Sequence, residues 1–211
     1  MKIDGIIFDS DGPLVDSETL SAKAIAGILA KGGVSVSIDD ILERFRGTRF
    51  ATFAAELLGD YPVTSIEDFA YAFRVRSVAL FSRELKPMNG ALALVSGIRI
   101  EKCVASNGPM DKIETCLGVT GLLPHFAGRI ASAYDVQSWK PDPGLILHAA
   151  SMMNVSSDRC LLVEDSLADV QAGLAAGVSV VGYCLSPKAQ AALQHRVPVI
   201  QELADLRAFL L

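Results

Sequence analysis

The chain is poor in the features that mark several large classes of protein. It has no stretch of about eighteen uncharged apolar residues, so no membrane span is expected. It also lacks basic runs. Nineteen Lys and Arg stand against twenty-four Asp and Glu, a formal net charge of −5, which argues against a nucleic-acid partner. Cys103, Cys116, Cys160 and Cys184 have neither metal-site nor redox spacing, and reduced thiols in a cytoplasmic protein are the simplest account. His125, His148 and His195 form no ligand spacing and read as structural or exposed. There is no internal repeat and no low-complexity tract. The N-terminus carries one lysine and runs straight into a strand bearing Asp4 and Asp9, so a secretory signal is not expected.

What is present is a regular alternation of short apolar runs with helix-period segments. Residues 3–8, 102–106, 128–132, 159–163 and 178–182 read as strands. Segments near 90–98, 109–117, 143–153, 166–176, 187–194 and 202–210 read as helices. Such alternation predicts an α/β fold, a doubly wound, mostly parallel Rossmann-like sheet with helices on both faces. The span from about Ser17 to Lys86 breaks the pattern. It has no convincing strand, while Leu20, Ala24, Ile25, Ile28 and Leu29, and then Ile66, Phe69, Ala70, Phe73, Leu80 and Phe81, keep helical spacing. The expected organisation is a core of residues 1–16 and 87–211 with an all-helical insertion, 17–86.

Chemistry-bearing residues sit at the ends of the predicted strands. The first strand runs into Asp9-Ser10-Asp11-Gly12-Pro13. Two carboxylates one residue apart at this place suit a divalent cation, an acid-base pair or a solvated loop. The second strand ends in Ser106-Asn107-Gly108, a proline-bounded loop presents Lys140, and a later strand ends in Glu164-Asp165-Ser166. Taken singly, Ser106 and Ser166 read equally as helix N-caps and Lys140 as a solvated lysine. Asp142 and Pro143 look like a helix start, and the stripe Leu145, His148, Ala149, Met152 looks like packing.

In order and on these elements, the four motifs resemble the haloacid dehalogenase-like hydrolase superfamily. Its signature is DxDGT, a strand ending in Ser or Thr, a loop lysine, and a strand ending in E-D or D-D. The resemblance covers nearly the whole chain. The helical insertion looks like the cap of the β-phosphoglucomutase-like, sugar-phosphatase branch, including the 6-phosphogluconate phosphatase type. It implies an Mg²⁺-dependent phosphatase of small phosphomonoesters, sugar or sugar-acid phosphates, acting through an aspartyl-phosphate. Asp9 matches the nucleophile and Asp11 the general acid and base. The Asp9 carboxylate, the Asp11 main-chain carbonyl and Asp165 would hold Mg²⁺, with Glu164 as a ligand or ordering a metal-bound water. Ser106 and the amides of Asn107 and Gly108 would take phosphate oxygens, and Lys140 would offset the charge of Asp9 and the phosphoryl group. The family's sheet sets the first strand between the second and the fourth, which brings these residues to one crevice.

Two positions depart from the family pattern. Pro13 replaces the usual Thr and removes one N–H from the turn. Asp169 stands where many relatives have glycine, and it reads either as a surface residue or as an added charge near the metal side. Between two insertion helices, Arg44-Phe45-Arg46-Gly47-Thr48-Arg49 places three guanidinium groups around a glycine turn. Arg46 and Arg49, with Gly47, are the choices for contacts to an anionic leaving group, against a reading of all three arginines as surface charges. Asp11 argues against dehalogenase and phosphonate-hydrolase chemistry, both of which lack it. A phosphomutase of the β-phosphoglucomutase type and a catalytically silent binding protein of the same fold are the alternatives. The expected partner is a phosphorylated metabolite, with no nucleic acid and no membrane, and the chain is expected to be a monomer or weak homo-oligomer.

Overall fold

The computed structural model describes residues 2–45, 48–126 and 128–210. Arg46 and Gly47, both singled out above, lie outside the described residues. The chain divides into two compact units, Met1–Val15 with Lys86–Leu211, and Asp16–Leu85.

The first unit is built on six parallel strands, β1 (Gly5–Phe8), β2 (Glu101–Ser106), β3 (Ile130–Ser132), β4 (Cys160–Glu164), β5 (Ser179–Tyr183) and β6 (Val199–Ile200), in the order β3-β2-β1-β4-β5-β6. The first strand lies between the second and the fourth, in the order that the family resemblance implies. Its Phe8 is paired with Val104 on one side and Val163 on the other. Every residue of β1 and of β4 is buried, as expected of a parallel sheet covered on both faces. Side chains alternate across the strands. Ile7, Cys103, Ala105 and Leu162 join one apolar cluster, while Phe8 meets Phe126 edge-on at 6.1 Å.

Four helices in the second unit, α1 (Ser17–Lys31), α2 (Ile38–Phe45), α3 (Phe50–Asp60) and α4 (Ile66–Glu84), account for the strand-free span. Asp16 starts α1 by accepting from Thr19 N, and Ser65 starts α4 by accepting from Asp68 N at 3.1 Å. Ala22, Ile25, Leu29, Ile41, Phe53, Leu57 and Phe69 form the core of this unit, with Phe50 stacked on Phe73 at 4.8 Å. Ile66, expected on the buried stripe, is exposed at the first turn of α4.

The first unit continues with α5 (Ala91–Gly97), α6 (Met110–Val119), α7 (Ala133–Val136), α8 (Gly144–Met152), α9 (Leu167–Ala175) and α10 (Pro187–Ala192). Helix α8 packs on β1, β2 and β3, and α9 on β4 and β5. The two-residue edge strand β6 escaped the sequence reading because so short a run has no measurable period. The segment near 202–210, read as a helix, is a 3₁₀-helix over Leu203–Phe209. Among the described residues no helix is long and apolar enough to cross a membrane. All four cysteines are free, with only Cys184 exposed.

Candidate active site

The strand order decides which side chains can meet. Ligands of an open α/β sheet bind beyond the carboxyl ends of the strands. Asp9 follows β1 directly, and its amide donates to Val163 O at 3.1 Å, extending the ladder one step. Glu164 closes β4, Asp165 follows it, and Ser106 closes β2. Oxygens of Asp9, Glu164 and Asp165 lie within 4.8 Å of one another, a grouping able to hold a cation. Glu164 is fully buried, and its Oε2 has no hydrogen-bond partner among the described residues. A buried, unpartnered carboxylate oxygen in such a group fits a hard divalent cation, which takes oxygen ligands.

Lys140 is no solvated surface lysine. It is 2 % exposed, and its Nζ contacts Asp9 Oδ1 at 2.7 Å, Glu164 Oε1 at 2.6 Å and Asp169 Oδ2 at 2.9 Å. Asp169 is not a surface residue either. It sits on the first turn of α9 and is 7 % exposed, because that turn points its side chain at Lys140. Ser166 caps the same helix by accepting from Asp169 N. Burial pushes the Asp9 carboxyl up from 3.8 to about 7, with Lys140 opposing the rise and Asp169 and Asp11 adding to it. Burial also raises Glu164 well above the ordinary carboxylate range, again against Lys140. Lys140 is held well above the usual ammonium range, because Asp169, Asp9 and Glu164 together outweigh the burial that disfavours its charge.

The first loop is shaped by Gly12, whose φ of +91° is open to glycine and strained for other residues. A Cβ there would run into the Asp165 carboxylate, so the absence of a side chain lets that acid approach. Pro13 does not leave the turn loose. Leu14 N and Val15 N both donate to Ser10 O, and Gly12 N donates to Val15 O at 2.9 Å, so the ladder never needs an amide at position 13. The Asp11 carboxylate meets Lys112 Nζ at 2.6 Å, which ties the first loop to the third residue of α6.

Ser106 is not an N-cap; Pro109 holds that position for α6. The Ser106 Oγ instead accepts from Gly108 N at 3.1 Å, so of the two amides expected to face phosphate that of Gly108 is engaged within its own loop. Asn107 acts through its side chain. Its Oδ1 accepts from Lys140 N at 2.9 Å and its Nδ2 donates to Lys140 O at 3.3 Å, so the loop after β2 grips the backbone of the lysine. Asp142 accepts from Gly144 N at 2.8 Å and so starts α8, as its place before Pro143 and Gly144 suggested. Arg49 is exposed at the residue before α3, and Arg44 pairs with Asp60 at 2.8 Å within the helical unit.

Three residues of this cluster escaped the sequence reading in their actual roles: Lys112, Asp169 as a buried group, and the side chain of Asn107. The one signal for Asp169 was a charged residue at a position where relatives carry glycine.

Residues 3–177 match the family model described as haloacid dehalogenase-like hydrolase. The chain is 34 % identical over 206 residues to the 6-phosphogluconate phosphatase of Escherichia coli strain K12, covering 97 % of this chain and 93 % of that protein. Among solved structures, a HAD family hydrolase from Deinococcus radiodurans R1, with bound phosphate and sodium, superposes with a TM-score of 0.81 at 29 % identity, covering 99 % of this chain and 95 % of that one. A conserved haloacid dehalogenase-like protein from Agrobacterium tumefaciens strain C58 gives a TM-score of 0.83, also at 29 % identity, over 98 % of this chain and 97 % of that one.

Proposed function

The chain belongs to the haloacid dehalogenase-like hydrolase family, and on that footing we propose that it is an Mg²⁺-dependent phosphatase of small sugar or sugar-acid phosphates. The observation that carries the reading is the junction of Asp9, Lys140, Glu164 and Asp165 at the carboxyl ends of β1 and β4. As a phosphoric monoester hydrolase it has two tasks, to accept a phosphoryl group and to hand it to water.

The Asp9 carboxylate is the nucleophile. An Asp9 oxygen bonds to phosphorus as the ester oxygen departs, and the departing oxygen takes a proton from Asp11. A water then attacks the same phosphorus, gives its proton back to Asp11, and the Asp9–phosphorus bond breaks to release inorganic phosphate. Proton transfer of this kind contributes about 10²–10⁴-fold. Asp9, Glu164 and Asp165 would hold Mg²⁺ with the Asp11 carbonyl, and the ion supplies charge stabilisation for the phosphoryl oxygens. Lys140 holds Asp9 in place and adds a fixed positive charge, as phosphoryl transfer depends mainly on positioning and electrostatics. Ser106 and the loop Asn107-Gly108 bind phosphate oxygens.

The substrate class draws support from the named activity of the E. coli relative. In this reading Arg49 and Arg46 of the inserted segment bind an anionic group of the substrate. Arg49→Ala then raises KM for a sugar-acid phosphate far more than for p-nitrophenyl phosphate. The free thiols suit a reducing cytoplasm.

The test is phosphate release from a panel of sugar and sugar-acid phosphates with Mg²⁺ and with EDTA, beside the Asp9→Asn protein. Release that needs Mg²⁺ and vanishes in Asp9→Asn supports the reading. Full activity after rigorous metal removal, or turnover of Asp9→Asn within tenfold of the parent, overturns it.

A further inference from the structure

An ammonium group has three N–H donors. In Lys140 two of them go to Asp9 at 2.7 Å and Glu164 at 2.6 Å, and Asp169 Oδ2 forms an ion pair with the same Nζ at 2.9 Å on its remaining side. Two of these acids belong to the group able to hold a cation, whereas Asp169 does not. The second oxygen of Asp169, Oδ1, is buried with no hydrogen-bond partner among the described residues, where Lys140 is the cation that this carboxylate meets. With Asp165 the cluster sets four acids around one ammonium, and a cation held by Asp9, Glu164 and Asp165 would leave Asp169 as the acid it does not neutralise directly.

We propose that Asp169 is a positioning residue that occupies the Lys140 donor a phosphoryl oxygen would take, and so weakens the hold of the site on phosphate. The inference rests on the reading of Lys140 as the lysine that faces the phosphoryl group. An arriving phosphoryl oxygen has to displace one of the three carboxylates. Displacing Asp9 would free the nucleophile from its anchor, and displacing Glu164 would disturb the cation group. Displacing Asp169 disturbs neither, and its contact is the longest of the three. Its charge also repels the anion that replaces it. Binding energy spent equally on substrate and transition state does not raise turnover. A site that grips free phosphate less firmly therefore releases its product sooner.

The sign of the effect makes the idea testable. Asn keeps the shape and can still accept from Lys140 but carries no charge, while glycine removes the side chain. In the Mg²⁺-loaded enzyme, Asp169→Asn and Asp169→Gly are expected to lower the inhibition constant for inorganic phosphate about tenfold, the scale of one unit charge removed at short range. Phosphate titration by calorimetry reads the same change without turnover. A loss of packing alone would weaken phosphate binding, the opposite direction, and circular dichroism identifies a variant that fails to fold. Should Asp169→Gly fail to fold, Asp169→Asn alone decides. Unchanged or weaker phosphate binding in a folded Asp169→Asn overturns the proposal. Lys140→Met separates the two layers. If it leaves phosphate affinity untouched, the reading of Lys140 itself is wrong, and this inference falls with it. If it abolishes phosphate binding while Asp169→Asn does not tighten it, only the role given to Asp169 is overturned.

Discussion

Lys112 Nζ stands 2.6 Å from Asp11 Oδ2, a contact between residues 101 positions apart that joins the first turn of α6 to the loop after β1. Both side chains are partly buried, at 26 % and 19 % exposure, so the pair is screened less than a surface ion pair. The contact fixes one Asp11 oxygen and so sets where this carboxyl group stands in the loop.

Lys112→Met is therefore expected to impair proton donation. Its kcat/KM for an alkyl phosphate should fall about tenfold further than for p-nitrophenyl phosphate, whose leaving group needs little protonation. Asp11→Asn should show the same bias more strongly, and Lys112→Arg should restore most of the loss. Equal losses on both substrates would make Lys112 a residue of general stability.

Gly12→Ala meets two obstacles at once, a left-handed φ and the Asp165 carboxylate. The backbone term alone costs about 1–2 kcal/mol. Thermal melts should show that loss, and Mg²⁺ titration should show weaker binding because Asp165 is displaced. Unaltered Mg²⁺ affinity would show that Asp165 tolerates the methyl group.

In the metal-free protein, stability should depend on pH through Asp9. Its carboxyl is raised from 3.8 to about 7, so between these values the folded chain holds a proton that the unfolded chain has lost. The contribution is complete below about 4 and is lost as pH rises to about 7. With EDTA present, the melting temperature should fall across this window, and Asp9→Asn should flatten the slope. A melting temperature that rises through the same window would contradict the assignment.

Asn107→Ala removes two hydrogen bonds to the Lys140 backbone. At about 1 kcal/mol each, stability should drop by about 2 kcal/mol. Turnover should fall further than such a loss explains, since Lys140 is no longer held against Asp9. Chemical denaturation and steady-state kinetics on the same variant read the two effects separately.

Much of this fold could be read from the chain because buried parallel strands leave continuous apolar runs such as Ile6-Ile7-Phe8 and Leu161-Leu162-Val163. The acids that follow those runs inherit their place from the strands, so Asp9, Glu164 and Asp165 were legible as strand-end residues. Lys112 and Asp169 were not, because each lies on a helix and reaches its partner through side-chain direction, which periodicity does not encode. Asn107 could be placed, but its amide group grips a backbone 33 residues away, a pairing that local sequence does not announce. The strand β6 falls below the length at which alternation can be seen.

Val15 bridges Pro87 in antiparallel fashion, and Met88 N donates to Leu14 O at 2.8 Å. The two strands of polypeptide that leave and re-enter the first unit are thus clasped like the neck of a hairpin. Closing that neck fixes the ends of everything between them, and loop-closure entropy grows only with the logarithm of the enclosed length. Lengthening, shortening or exchanging the helices inside therefore changes the entropic cost to the sheet very little. Such a chain can revise its inserted helices while the strand ends that carry its acids stay where they are.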